Sequence, residues 1–66
     1  MQLYVVLYRD EAIMTHADPP FAFSCWAEDS DHAEEQLLNA ESDADVVWVV
    51  QTADVEDAYS DYWGNT

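Results

Sequence analysis

Three segments of the chain have the hydrophobic pattern of β-strands. In residues 2–8, apolar and aromatic side chains fall alternately on two faces of an extended chain, and residues 21–27 (FAFSCWA) show a similar alternation. Residues 46–51 (VVWVVQ) form a continuous apolar run of strand length, which predicts a strand covered on both faces. A hairpin between the first two strands is the simplest pairing, so we expect an antiparallel sheet of three strands.

The segment 30–40 has helical periodicity. It consists of helix formers and follows a candidate N-cap at Asp29 or Ser30, where clustered carboxylates suit the positive end of a helix dipole. The predicted apolar stripe of this main helix consists of Ala33, Leu37 and Ala40, with Leu38 beside them.

A shorter helix is predicted near the end of the chain. Apolar residues recur there with i, i+3, i+4 and i+7 spacing after a capping Thr52 or Asp54; they are Val55, Ala58, Tyr59 and Tyr62. Trp63 precedes residues 64–66, which we expect to fray. The aromatic residues at 59, 62 and 63 either cover the sheet face opposite the main helix or contact a partner, and the sequence leaves both open.

These elements together predict an α+β fold in one domain that spans residues 1–66. We expect a three-stranded antiparallel sheet packed by one main helix (ββαβ), with a short C-terminal helix, and with Tyr4 and Trp48 in the core. Residues 10–20 predict a loop, because a Pro19-Pro20 pair cannot lie inside a strand ladder, and we expect Ile13 and Met14 to turn inward from it.

The charge of the chain is nearly all of one sign. Fifteen Asp and Glu residues stand against one basic residue, Arg9, which gives a formal net charge of -14, although half of the residues are hydrophobic. Chains this acidic are usually disordered, but the aromatic content and the blocks of valine favour folding here. Self-repulsion destabilises a compact state, so the charge indicates a role outside stability, and a strongly basic partner surface fits it best. Direct binding to nucleic acid or to a membrane surface is disfavoured, since both are negatively charged.

Catalytic groups are scarce in the sequence. Cys25 is the only cysteine, and the acidic surroundings would raise the pKa that a nucleophilic thiol needs lowered, so we expect a buried, small apolar residue. His16 and His32 lack zinc-site spacing with a second cysteine, and we expect His32 at the surface. Gly64 is the only glycine, which excludes a phosphate-cradling glycine loop. We therefore expect neither an enzyme nor a cofactor or metal site.

Rows of carboxylates are the strongest functional signal. On a helix, carboxylates three or four positions apart lie about 5 to 6 Å from one another, close to the separation of successive phosphates on a nucleic-acid strand. The first predicted patch of phosphate surrogates comprises Asp29, Asp31, Glu34, Glu35, Asp43 and Asp45. A second patch comprises Glu56, Asp57 and Asp61. Ordinary surfaces mix both signs of charge, so the scarcity of Lys and Arg favours mimicry of DNA over a merely soluble acidic face.

The segments FAFSCWAEDSDHAEEQLL and VVWVV, within residues 21–50, resemble small phage proteins that contain a strand, a turn, a helix and a return strand. The pattern is similar to that of the small phage inhibitor of host RNA polymerase and of some small anti-CRISPR proteins. This resemblance covers about half of the chain, and its motifs define a topology more than a contact. It implies a phage-encoded inhibitor that binds a host protein.

The sequence thus predicts a non-enzymatic inhibitor in the cytoplasm of a bacterial host cell, since no signal peptide or membrane-spanning segment is evident. We expect it to act as an acidic DNA mimic that occupies a nucleic-acid-binding site on a host defence or DNA-handling protein. CRISPR interference complexes are the leading target, because they expose long basic channels. Two alternatives remain open, which are an inhibitor of bacterial RNA polymerase and a small homodimer of unknown role.

Overall fold

The computed structural model describes residues 1–10 and 19–64. Its elements are β1 (Gln2–Asp10), β2 (Phe21–Ala27), α1 (Ser30–Ala40), β3 (Ala44–Val50) and α2 (Val55–Gly64). This arrangement confirms the predicted α+β fold with its ββαβ core and C-terminal helix. The predictions for residues 11–18, which include Ile13, Met14 and His16, and the predicted fraying of residues 65–66 lie outside the described residues. Gly64, which was also expected to fray, is the last residue of α2.

The sheet has the order β2-β1-β3, and β1 is antiparallel to both of its neighbours. The β1–β2 hairpin is therefore confirmed. β1 and β3 begin or end differently from the prediction, since β1 continues to Asp10 and β3 begins at Ala44. The extension has a local cause, because Arg9 and Asp10 pair with Asp45 and Ala44 in the ladder, and opposite charges favour the Arg9–Asp45 pair.

Two hydrophobic clusters lie on opposite faces of the sheet. The cluster beneath α1 consists of Tyr4, Val6, Cys25, Ala27, Ala33 and Leu37. The cluster beneath α2 has Val5, Leu7 and Ala58 at its centre. Successive residues of β1 alternate between them, because side chains along a strand point to opposite faces. The burial of Tyr4 and Cys25 is as the sequence predicts.

A bulge in β3 determines how that strand reaches both clusters. Leu7 pairs with Trp48 whereas Tyr8 pairs with Val46, so Val47 is an extra residue between the two pairs. Consequently the adjacent Val47 and Trp48 both pack on the α2 cluster, while Val46 packs on the α1 cluster. The prediction of a covered strand holds in the sense that both faces of β3 contact the core. β3 is nevertheless an edge strand, in which Asp45 is exposed and the other residues are only partly buried.

The apolar stripe of α1 is narrower than the sequence predicts. Ala33 and Leu37 are buried, but Ala40 is exposed and Leu38 is 45% exposed, so the prediction for these two residues is wrong. Leu38 is turned by about 100° from Leu37 around the helix axis and cannot face the same sheet. Ala40 lies in the last turn, beyond Leu37, the last α1 residue in the cluster.

The aromatic residues of α2 settle one open question. Tyr59 and Tyr62 pack on the cluster opposite α1, so they cover that face. Trp48 lies partly buried beside them, with its ring 6.0 Å from that of Tyr62 in an edge-on arrangement. Trp63 stacks on Tyr59 at 5.2 Å but is itself 55% exposed, so the covering ends before it.

We expect Leu37→Ala to lower the free energy of unfolding by about 2–5 kcal/mol, because it leaves a cavity beneath α1. Leu38→Ala is the matched control, since it removes the same atoms from the next, exposed position and should cost less than about 1 kcal/mol. Urea unfolding followed by circular dichroism measures both. Equal losses in the two variants would contradict the packing of α1.

We also expect stability to fall in alkali. Burial raises the pKa of the Cys25 thiol above its ordinary 9.0. The pKa of Tyr59 is raised above its ordinary 10.0, mainly by burial and to a smaller extent by the charge of Tyr8. A folded-state pKa above the unfolded one stabilises the protein below the unfolded pKa, and this contribution is lost as the pH rises through the folded pKa. Urea unfolding at neutral pH and above pH 10.0 tests this, and Tyr59→Phe should show a smaller alkaline loss. An unchanged midpoint in the wild type would contradict it.

Candidate acidic interface

The predicted carboxylates all lie at the surface. Of the nine candidate residues, eight are exposed and Glu34 is half-buried, and no charged residue is buried in the part of the chain that the structure describes. This placement follows from the cost of removing a carboxylate from water without a partner. The two hydrophobic clusters therefore contain no acid, and the charge is displayed outward.

The carboxylates of α1 form the most continuous acidic surface. Asp31 and Glu35 lie on the side of the helix away from the buried Ala33 and Leu37, and the half-buried Glu34 borders that side. The i, i+3 and i, i+4 spacing of the three makes them neighbours. The exposed Glu41, which is the C-cap, follows at the C-terminal end of the helix. We call these four carboxylates the α1 acidic face. The exposed Asp43 follows in the turn that leads to β3.

Leu38 lies within this face and was assigned to the core by the sequence pattern. It is four residues after Glu34, three after Glu35 and three before Glu41, so carboxylates flank its exposed side chain. The signal was available in the sequence, because a leucine adjacent to the buried Leu37 cannot share its direction. Leu38 is therefore an exposed apolar side chain bordered by carboxylates.

Besides Asp43, two residues of the first predicted patch do not belong to the α1 acidic face. Asp29 is the N-cap of α1, and its side chain accepts a hydrogen bond from the His32 backbone N–H at 2.8 Å. Asp45 pairs with Arg9, whose β1 neighbours Val5 and Leu7 face α2, so Asp45 lies on the sheet face away from α1. The structure thus groups Asp31, Glu34 and Glu35, places Asp43 next along the chain and separates Asp45 from them.

The second predicted patch lies on the other side of the molecule. Glu56 and Asp57 are exposed in the first turn of α2, after Asp54, whose side chain accepts from the Glu56 N–H at 2.9 Å and caps the helix. Asp61 accepts a hydrogen bond from the Trp48 indole Nε1–H at 2.8 Å. One flat partner surface cannot contact both patches, because the sheet separates α1 from α2.

Cys25 and His32, which the sequence offered as catalytic groups, both contact backbone groups of the fold. Cys25 is buried, and its Sγ lies 4.0 Å from the Ala33 carbonyl oxygen. The half-buried His32 ring accepts a hydrogen bond through Nδ1 from the Glu28 N–H at 3.1 Å, so this ring helps to fix the start of α1. Among the described residues no group of three or more potential metal ligands occurs. Neither described helix has the length and apolar character that crossing a membrane requires.

No protein-family model matches this chain, and no curated protein or solved structure matches it either.

We predict that Asp29→Ala lowers the free energy of unfolding by about 1 kcal/mol, whereas Asp29→Asn lowers it by less than half as much, since asparagine also caps helices. Both variants remove the same negative charge. Thermal unfolding of the two variants therefore separates capping from charge repulsion. If both variants were equally stabilised, repulsion would outweigh the cap at this position.

Proposed function

We propose that the protein is a non-enzymatic inhibitor that occupies the nucleic-acid-binding site of a basic protein, with the α1 acidic face standing in for phosphates. The observation that carries this proposal is a folded scaffold with a net charge of -14 and a single basic residue. That residue, Arg9, pairs with Asp45 on the sheet face away from α1, so the α1 acidic face contains no cation.

The density of charge supports mimicry of a duplex. The longest dimension of the Cα trace is 33 Å. Over that length B-DNA carries about 19 phosphate charges, at one per 1.7 Å of axis. The formal net charge of -14 is of similar size. A protein groove that neutralises phosphates with Lys and Arg would therefore meet a comparable field on this surface.

The α1 acidic face also offers more than charge. Leu38 offers the partner an apolar contact inside the row of carboxylates. When the partner packs on Leu38 and excludes water there, the ion pairs between the neighbouring carboxylates and the partner become stronger. Nucleic-acid-binding grooves contain aliphatic stems of Lys and Arg that can pack on such a side chain. A face of this kind favours binding to a protein groove over simple association with counterions.

The target class that we propose is a bacterial defence or DNA-handling complex, with CRISPR interference complexes first among them. Such complexes hold nucleic acid in long, positively charged channels that recognise backbone geometry more than sequence. Immobilised protein exposed to a bacterial lysate and eluted along a salt gradient should retain a nucleic-acid-binding complex, which mass spectrometry would identify. Retention only of proteins that do not bind nucleic acid would contradict the proposal.

We expect Glu34→Lys combined with Glu35→Lys to weaken binding to the captured complex by about tenfold or more, and more than Trp63→Ala does. Glu56→Lys with Asp57→Lys is the matched control, because it changes the net charge equally on the opposite side of the sheet. Its effect should be smaller. Wild-type affinity should also fall at least about tenfold between low and physiological salt, since exposed charges are screened.

Calorimetric titration at several salt concentrations measures these affinities. Equal losses for the two double variants would show that net charge, and not the α1 acidic face, governs binding. An affinity that does not change with salt would rule out charge mimicry altogether.

A further inference from the structure

The edge strand β2 is the one described strand without a charged residue. Its sequence is FAFSCWA, whereas β1 contains Arg9 and Asp10 and the other edge strand, β3, contains Asp45. Natural proteins usually protect a sheet edge with charges or with proline, because its unpaired backbone groups bind other strands. An uncharged edge is therefore unexpected in a chain with fifteen acids.

Described side chains hydrogen-bond to the backbone at both ends of this edge, and none of the described side chains does so between those ends. At one end the Gln36 Nε2 amide donates to the Trp26 carbonyl oxygen at 2.6 Å, and at the other the Tyr59 hydroxyl donates to the Pro20 carbonyl oxygen. In an antiparallel ladder, alternate residues direct both backbone groups to the same side. Ala22 and Ser24 therefore point their N–H and C=O groups away from β1, toward the side on which the described residues contain no strand.

Two large side chains flank this open edge. Trp26 is 61% exposed and Phe21 is 42% exposed. Phe23 and Cys25 pack beneath α1, so by alternation the side chain of Trp26 lies on the face that α2 occupies. α2 packs on β1 and β3 and leaves this part of the face, beside Leu3, without a helix. The exposed indole thus borders the open backbone groups.

Carboxylates beside the β2 edge favour a positively charged segment as its binding partner. Glu28 and Asp29 follow β2 directly, and both are exposed. A second copy of the chain would bring another net charge of -14 to this edge, and strand pairing alone buries little area against that repulsion. A cationic segment meets the opposite condition, since Lys or Arg stems can cover Trp26 while their charges meet the carboxylates.

We propose that the β2 edge, at Ala22 and Ser24, binds an extended basic segment of the partner protein as a fourth strand, with Trp26 covering the added strand. This binding mode rests on the proposed function, because it takes the partner to be basic. It adds a contact that DNA itself cannot make, namely backbone pairing, and so gives the inhibitor selectivity among basic proteins that mimicry of phosphates alone does not supply.

The test uses the full chain and a synthetic peptide of about eight residues that alternates lysine and valine, which favours an extended strand. A second peptide has the same sequence with N-methyl groups on alternate residues, which removes the backbone donors of one edge and keeps every charge. We expect N-methylation to weaken binding by about tenfold or more. Proton–nitrogen NMR spectra should show shifted and exchange-protected amides at Ala22 and Ser24 with the unmodified peptide only.

Protein variants provide a second line of evidence. Ser24→Pro removes one outward N–H at a position where an edge strand tolerates proline, and circular dichroism checks that it folds. This variant should bind the unmodified peptide as weakly as the wild-type protein binds the N-methylated peptide. Trp26→Ala should also weaken binding of the unmodified peptide, because it removes the indole that borders the edge.

The outcomes separate this proposal from the function on which it rests. Equal, salt-sensitive binding of both peptides would overturn the strand-addition site and leave the acidic mimic standing. Failure of both peptides to bind at low salt would overturn both proposals. Self-association of the protein that Ser24→Pro abolishes, without peptide binding at the edge, would assign the edge to a second copy and overturn the basic segment.

Discussion

The double-sided burial of β1 is the constraint on which the rest of the structure depends. Four consecutive residues, Tyr4 to Leu7, are buried, and they alternate between the cluster beneath α1 and the cluster beneath α2. Among the strands of the described residues, β1 alone pairs with both others. A chain of 66 residues has too little apolar surface for one thick core, so two thin clusters share a central strand. Each helix is thereby held on its own face, and this fixes the acidic groups of α1 and α2 on opposite sides of the molecule.

The charge of the protein acts against this small core. Every described carboxylate stays at the surface, and a few are used for structure: Asp29 and Asp54 cap helices, and Asp61 receives the Trp48 indole N–H. The exposed carboxylates of α1 other than the cap repel one another, which acts against the compact state. Their concentration along α1, with Leu38 among them and Arg9 on the other face, is best explained by a task outside folding. The uncharged β2 edge fits the same proposal, because its outward backbone groups can pair with a basic segment that the acidic surface attracts.

Much of the fold follows from the sequence, and the exceptions have identifiable causes. Alternation in residues 2–8 and the i, i+4 spacing of Ala33 and Leu37 define both faces of the sheet and the packing of α1. The bulge at Val47 could not be predicted, because residues 46–50 (VVWVV) are all apolar, so no polar side chain among them marks which side each valine faces. Without it, Asp45 cannot be assigned to the face of Arg9, and the strand order β2-β1-β3 depends on long-range pairing that a local pattern does not contain. The acidic residues of the site were identifiable from composition, and the exposure of Leu38 from its position next to Leu37 on a helix, whereas Trp26 needed the structure, since only its exposure distinguishes it from a core residue.

The central claim is that the folded acidic surface and nucleic acid compete for one site. The most direct measurement is to hold the captured partner on immobilised protein and to titrate duplex DNA, with polyglutamate of equal total charge in parallel, while the released partner is quantified. The account predicts that the duplex releases the partner in proportion to its occupancy and that polyglutamate is far less effective, because only the duplex fits the groove. A ternary complex that holds the protein and the duplex together on the partner would contradict it.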